Sequence, residues 1–268
     1  MSINELFGEE EKKKIQPKTQ EQQNSLPSLG LNFFTTKLSD GTNIRFRPFK
    51  VSEQKALLIA QESEDKKIQL LAMMELVERC VSEPKISAKD LSLFDIEWLF
   101  IKIRIESISD ISNVIVKCNH CKKDNEISLD LNLAKIVKEE NWQNRVDLTD
   151  ELGVTLRPPK CNDILSYDMD ELEKNIEVRL DLIRKCIYNI YWKNSDKIIK
   201  TSDVPEAEVT AFLEEMSGKH FELISKYFKD MPKTIIEDKF TCKNCQKEND
   251  LYLEGITNFF ESASPMTI

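Results

Sequence analysis

Residues 118–130 read CNHCKKDNEISLD, and residues 242–254 read CKNCQKENDLYLE. Superimposed, Cys118, Cys121, Lys123, Asn125 and Leu129 coincide with Cys242, Cys245, Lys247, Asn249 and Leu253. Asp124, Glu126, Ile127 and Asp130 meet the close substitutes Glu248, Asp250, Leu251 and Glu254. Each copy places a Cys-x-x-Cys turn between strand-forming residues. Val114, Ile115 and Val116 lead into the first and Ile127, Ser128 and Leu129 lead out; TIIEDKFT (234–241) and Leu251, Tyr252 and Leu253 do the same for the second. One pair of thiolates half-fills a tetrahedral Zn²⁺ site, and two pairs complete it. The repeat therefore predicts two hairpin knuckles meeting in a zinc-ribbon-like unit. One structural Zn²⁺ would be held by Cys118, Cys121, Cys242 and Cys245.

The separation is long for a compact ribbon, with 120 residues between Cys121 and Cys242. The duplicated flanks offset this, because a two-knuckle site needs two equivalent hairpins. Lys122 and Gln246 stand after the pairs, where many knuckles have Gly. Two other readings remain: knuckles that lost the metal or share it with a partner chain, and a redox dithiol. The redox reading needs a helix starting at the first Cys, whereas strand formers flank both pairs. His120 is expected to point away from the sulfurs. The choice between zinc and iron is open.

Outward from the knuckles, three segments are expected. Residues 1–30 are polar, rich in Glu, Lys and Gln, and read as a flexible tail. Residues 31–158 form an α+β half ending in the first knuckle and hairpins, with Pro158-Pro159 as the boundary. Residues 159–268 form a mainly helical half ending in the second knuckle. The fold class is thus α+β, helical bundles with β-hairpins around the four-Cys unit.

Within the first half, Ser39-Asp40-Gly41-Thr42 predicts a hairpin turn, and Ser52 an N-cap for a helix through Ala60. A helix over 66–80 follows. Phe94, Trp98, Ile101 and Ile105 recur at helical spacing with an apolar opposite side, which predicts a deeply buried helix. The alternation in IKIRIE (101–106) weakens the helical reading there. Residues 145–157 predict a second hairpin. In the second half, Ile183, Cys186, Ile187 and Ile190 form one helical stripe; Val209, Phe212, Leu213 and Met216 form another; Phe221, Ile224 and Phe228 form a third. The apolar run 256–260 closes the chain.

The 268 residues carry 38 Lys and Arg against 47 Asp and Glu, a formal net charge of −9. That balance disfavours a general polyanion binder. Lys117, Lys122, Lys123, Lys239, Lys243 and Lys247 would form a local basic patch if the knuckles meet, though solvated lysines on exposed hairpins are the simpler expectation. No aromatic residues interleave with them, as single-strand stacking requires. Two His and six Gly leave little for His-based catalysis or phosphate-cradling loops, and no HExxH, P-loop or dinucleotide turn occurs. No catalytic residues, organic cofactor-binding residues or small-molecule substrate are expected. Cys80, Cys161 and Cys186 are isolated, and Cys80 and Cys186 read as buried thiols. The opening MSINELFGEEEKKK has no apolar core and does not read as a secretory signal, and no run is long enough for a membrane span. The thiols therefore suggest a cytosolic setting.

NIRFRPFKVSEQKALLIA, LSLFDIEWLFIKIRIESISD and VKCNHCKKDNEISLDL resemble the hub-associated baseplate proteins of T-even-like contractile-tailed phages. FLEEMSGKHFELISKYFKDMPK and FTCKNCQKENDLYLEGITNFF resemble the family's closing pattern. The likeness spans roughly residues 32–261 and is most specific at Phe94-Asp95-Ile96-Glu97-Trp98-Leu99-Phe100 and the two ordered Cys pairs. It implies a non-enzymatic baseplate hub component or hub assembly factor (a chaperone), with other hub proteins as partners. It also implies residence in the host cytoplasm during assembly, and leaves open whether the protein stays in the virion tail baseplate or departs as a transient chaperone. The alternative from the residues alone is a zinc-ribbon, nucleic-acid-associated accessory protein, which the acidic charge disfavours.

Overall fold

Gly41 adopts φ of 88°, a conformation L side chains avoid, and closes the predicted turn. β1 (Phe34–Lys37) and β2 (Asn43–Phe46) pair antiparallel across it, with Phe34 opposite Phe46. The computed structural model describes residues 30–255 except residue 64. The expected N-terminal tail and the apolar run 256–260 lie outside the described residues.

α1 (Val51–Glu62) starts one residue before the expected cap, Ser52. Lys50 occupies that place, and its N–H donates to Glu53 Oε2 at 2.7 Å. α2 (Lys66–Cys80) is capped by Asp65, which accepts from the Lys67 amide. β3 (Val81–Glu83) returns to pair with β2. Ser92 caps α3 (Leu93–Ser107), which runs through IKIRIE without a break. Burial explains why the alternation there does not make a strand. Ile96, Leu99, Phe100 and Ile103 face one core, while Ile101, Trp98 and Ile105 face another. A helix between two cores is apolar all round.

β4 (Ile111–Lys117) and β5 (Asp124–Asp130) form the first knuckle hairpin, and β6 (Lys135–Val137) follows. β7 (Arg145–Asp147) and β8 (Leu152–Leu156) form the second predicted hairpin. Two short helices, α4 (Cys161–Ile164) and α5 (Met169–Lys174), precede α6 (Ile176–Cys186). The stripe predicted through Ile190 holds only to Cys186. β9 (Ile187–Trp192) takes over, and β10 (Ile198–Lys200) pairs with it. IYNIYW is β-branched and aromatic, and its pairing with β8 outweighs the helical spacing. α7 (Glu206–Glu214) and α8 (Gly218–Lys229) lead to β11 (Lys233–Thr241) and β12 (Glu248–Glu254), the second knuckle hairpin. The sheets run β1-β2-β3, β10-β9-β8-β7, β12-β11-β6 and β4-β5. Helix and strand residues share the cores on both sides, so the class is a mixture of helices and sheets.

The repeat seen at the knuckles extends through the fold. Arg47-Pro48-Phe49-Lys50-Val51-Ser52-Glu53 leaves the first hairpin, and Arg157-Pro158-Pro159-Lys160-Cys161-Asn162-Asp163 leaves the second. Arg47 forks onto both Glu53 oxygens at 2.9 and 2.7 Å and reaches the Pro48 and Arg79 carbonyls. Arg157 does the same with Asp163 and the Pro158 and Lys185 carbonyls. The Arg47 N–H donates to the Cys80 carbonyl and the Arg157 N–H to the Cys186 carbonyl, each where a helix gives way to a returning strand. Even the register shifts coincide, at Arg45/Phe46 and Thr155/Leu156. Leu38, Ile44, Phe46 and Val81 line one core; Leu148, Val154, Leu156 and Ile187 line the other from equivalent positions. Pro158 falls inside the second copy as Pro48 falls inside the first.

The copies interlock. β6 leaves the first hairpin and pairs with β11 of the second, Ile136 opposite Thr234. The buried Thr234 hydroxyl donates to the Phe94 carbonyl of α3 at 2.6 Å. A third core of Ile101, Leu129, Leu131, Ala134, Ile236 and Leu251 fills the space beneath the two knuckles.

Candidate metal centre

Each Cys-x-x-Cys sits at the tip of a seven-residue ladder, β4–β5 or β11–β12. Both tips are closed identically. The Cys118 amide donates to the Lys123 carbonyl and the Lys122 amide to the Cys118 carbonyl; Cys242, Lys247 and Gln246 repeat the pattern at the same lengths within 0.1 Å. Lys122 and Gln246 occupy the left-handed region at φ of 60° and 58°. The knuckles make the left-handed turn without the Gly that would relieve it.

The two tips meet. The four sulfurs of Cys118, Cys121, Cys242 and Cys245 all lie within 4.8 Å of one another. Cys118 Sγ is 3.6 Å from Cys245 Sγ, and Cys121 Sγ is 3.6 Å from Cys242 Sγ. Those spacings are far too long for a disulfide, whose S–S length is about 2.05 Å. They match the edge of a tetrahedron with metal–sulfur bonds of about 2.3 Å, which is roughly 3.8 Å. Cys118 and Cys242 are fully buried, and Cys121 and Cys245 are half-buried. The donor set therefore fits a closed structural tetrahedral ion.

Backbone amides prepare the sulfurs. His120 N–H points at Cys118 Sγ and Asn244 N–H at Cys242 Sγ, both at 3.4 Å. The Cys121 amide, chiefly, and that of His120 hold the Cys118 thiol down to about 6. The Cys245 amide acts in the same way and lowers Cys242. Cys245 receives help from the Lys247 amide, yet burial and the neighbouring sulfurs push it up to about 11. Four thiolates cannot share so small a space without a cation.

Two buried asparagines join the tips. Asn125 Nδ2 donates to the Lys123 carbonyl of its own knuckle at 2.9 Å, while its Oδ1 accepts from the Lys243 amide of the other at 2.8 Å. Asn249 Nδ2 donates to the Lys247 carbonyl at 2.9 Å, and its Oδ1 accepts from the Asn119 amide at 2.8 Å. Their side chains give the Asn119 and Lys243 amides a partner and add a second donor to the Lys123 and Lys247 carbonyls. The aligned repeat pairs Asn125 with Asn249 without giving them a role; their identity, shared with the Cys pairs, Lys123/Lys247 and Leu129/Leu253, was the available signal.

His120 turns away as expected, its Nε2 at 3.3 Å from the Glu248 carbonyl. No helix begins at Cys118 or Cys242, so the geometry of a redox dithiol is missing. Lys117 pairs with Asp124, and Lys239 with Glu248 and Asp250, so the basic patch is interleaved with carboxylates. Cys80, Cys161 and Cys186 are buried outside the four-sulfur group, and burial raises each thiol to about 12. His220 stands at the third position of α8, in a reciprocal cap with Ser217. No helix among the described residues is long and apolar enough to cross a membrane.

Residues 31–261 match the model of a family described as T4 bacteriophage base plate protein. No curated protein and no solved structure gives a significant match.

Proposed function

Because the chain belongs to the T4 bacteriophage base plate protein family, we propose that it is a non-enzymatic component of the tail baseplate hub or of its assembly. The match over residues 31–261 carries this reading, since it embraces both repeats and both knuckles. The working mechanism is presentation of a rigid surface to other hub proteins.

Rigidity is where the metal centre enters. Cys118, Cys121, Cys242 and Cys245 would hold one structural Zn²⁺ as thiolates in a zinc-ribbon-like unit. The ion would supply a cross-link between segments far apart in sequence, and its binding free energy would count as folding free energy. The chain's own groups do the rest: amides orient the sulfurs, and β6 on β11 fixes the two repeats against each other.

Quantitative mass spectrometry of mature tails beside tail-assembly intermediates tests the reading. A fixed stoichiometry in mature baseplates would establish a permanent hub subunit. Presence in intermediates alone would establish an assembly chaperone. Absence from both would overturn the proposal.

A further inference from the structure

The contacts across the knuckles are reciprocal to a degree that the sulfurs do not require. Asn125 and Asn249 are 2% and 3% exposed, and each bonds one group of its own tip and one of the opposite tip. The two accepting bonds cross between residues 118 and 130 positions apart in sequence. The amides they satisfy, those of Asn119 and Lys243, occupy the same place in each knuckle, directly after the first Cys. Neither bond involves a sulfur atom.

We propose that Asn125 and Asn249 are positioning residues that form a metal-independent lock, holding the knuckles docked so that the ion enters a preformed site. This deepens the reading of the four cysteines as a metal centre, but the lock itself stands without it. A side-chain amide suits the task for a chemical reason. It donates and accepts at once, so one residue can serve a carbonyl on its own hairpin and an N–H on the other. A carboxylate would lack the donor and would add charge beside thiolates; a hydroxyl is too short to span both groups. The asparagine side chains are themselves buried, which raises the cost of leaving them unpaired, and the Asn119 and Lys243 amides are the backbone groups each one serves across the knuckles.

The test is amide hydrogen exchange on the full chain, stripped of metal by a strong chelator under reducing conditions. The Asn119 and Lys243 amides are expected to remain protected. Asn249→Ala should speed exchange at Asn119 by roughly tenfold or more while leaving Lys243 less affected, and Asn125→Ala should do the reverse. This crosswise pattern is one that general destabilisation does not produce. The unmodified chain supplies a test even where a variant fails to fold: loss of protection at both amides on metal removal alone overturns the lock. Equal exposure of both amides in each variant also overturns it. So does exposure of the Cys118 amide in Asn125→Ala ahead of Lys243, which would assign Asn125 to its own hairpin. If the purified chain binds no zinc at all, the metal reading fails while the crosswise pattern still decides the lock.

Discussion

Glu97 lies on α3 only 4% exposed, and among the described residues its Oε1 has no hydrogen-bond partner. Burial, with the Glu254 carboxylate adding to it, raises its carboxyl well above the ordinary value. The protonated acid therefore fits the fold better than the ion does. Below the unfolded value of about 4.3 this contribution is fully present, and it is lost as pH rises through the raised folded value. Glu97→Gln should raise the melting temperature at neutral pH, with the gain vanishing near pH 4 in thermal scans at both pH values. One turn along, Phe100 is 1% exposed, whereas Trp98 is only half-buried, donates from Nε1 to Thr36 Oγ1 at 3.0 Å and lies under Lys102. Trp98→Ala should accordingly cost about 2–3 kcal/mol in urea unfolding, below the about 3–5 kcal/mol of a fully buried aromatic. At this scale the four cysteines were legible because thiolate pairs at fixed spacing have few other uses. Asn125 and Asn249 were not, because a buried amide is read only from what surrounds it.

Among the elements, the Arg-Pro-x-Lys step deserves a mutational test because it appears twice. Arg47 and Glu53 are largely buried, and the guanidinium offsets the burial that would otherwise raise the Glu53 carboxyl, leaving it lowered. Arg47→Leu takes the counter-ion from that buried carboxylate, which keeps only the Lys50 amide and the Cys80 thiol beside it, and should cost about 3–5 kcal/mol by chemical denaturation. Replacing Glu53 by Leu as well should recover a large part of the loss, since an apolar pair leaves no charge unpaired. The hairpin at Gly41, a hairpin within 145–157 and the helix over 66–80 were readable from turn chemistry and spacing, although Leu152 and Gly153 belong to β8 and the second turn falls just before them. The strand 187–192 was not. Ile183, Cys186, Ile187 and Ile190 satisfy a helical period, and only the waiting edge of β8 turns Ile187 and its neighbours into a ladder. The shared plan of the two copies was equally hidden, since Arg47/Arg157 and Glu53/Asp163 are few among many drifted positions.

For the whole molecule, the decisive property is that neither copy is closed on itself. β6 belongs to the first hairpin in sequence and to the second in pairing, and the centre draws two sulfurs from each knuckle. If an ion fills that centre, a strong chelator should lower the melting temperature, and Cys242→Ala should lower it similarly while abolishing the chelator's effect. An unchanged melting temperature in chelator would remove the metal from the account. The α+β class was legible from alternating strand and helix patterns, but the crossing of β6 was not, since three residues carry no long-range address. That crossing also sets a clock. A ribosome adds about 5–20 residues per second, so the 120 residues between Cys121 and Cys242 take on the order of 6–24 s to make. Throughout that interval the nascent first copy exposes two unmatched thiols and a strand with no neighbour. The four-sulfur centre can close only on a chain synthesised past residue 245, so a product truncated earlier keeps its first pair of thiols open.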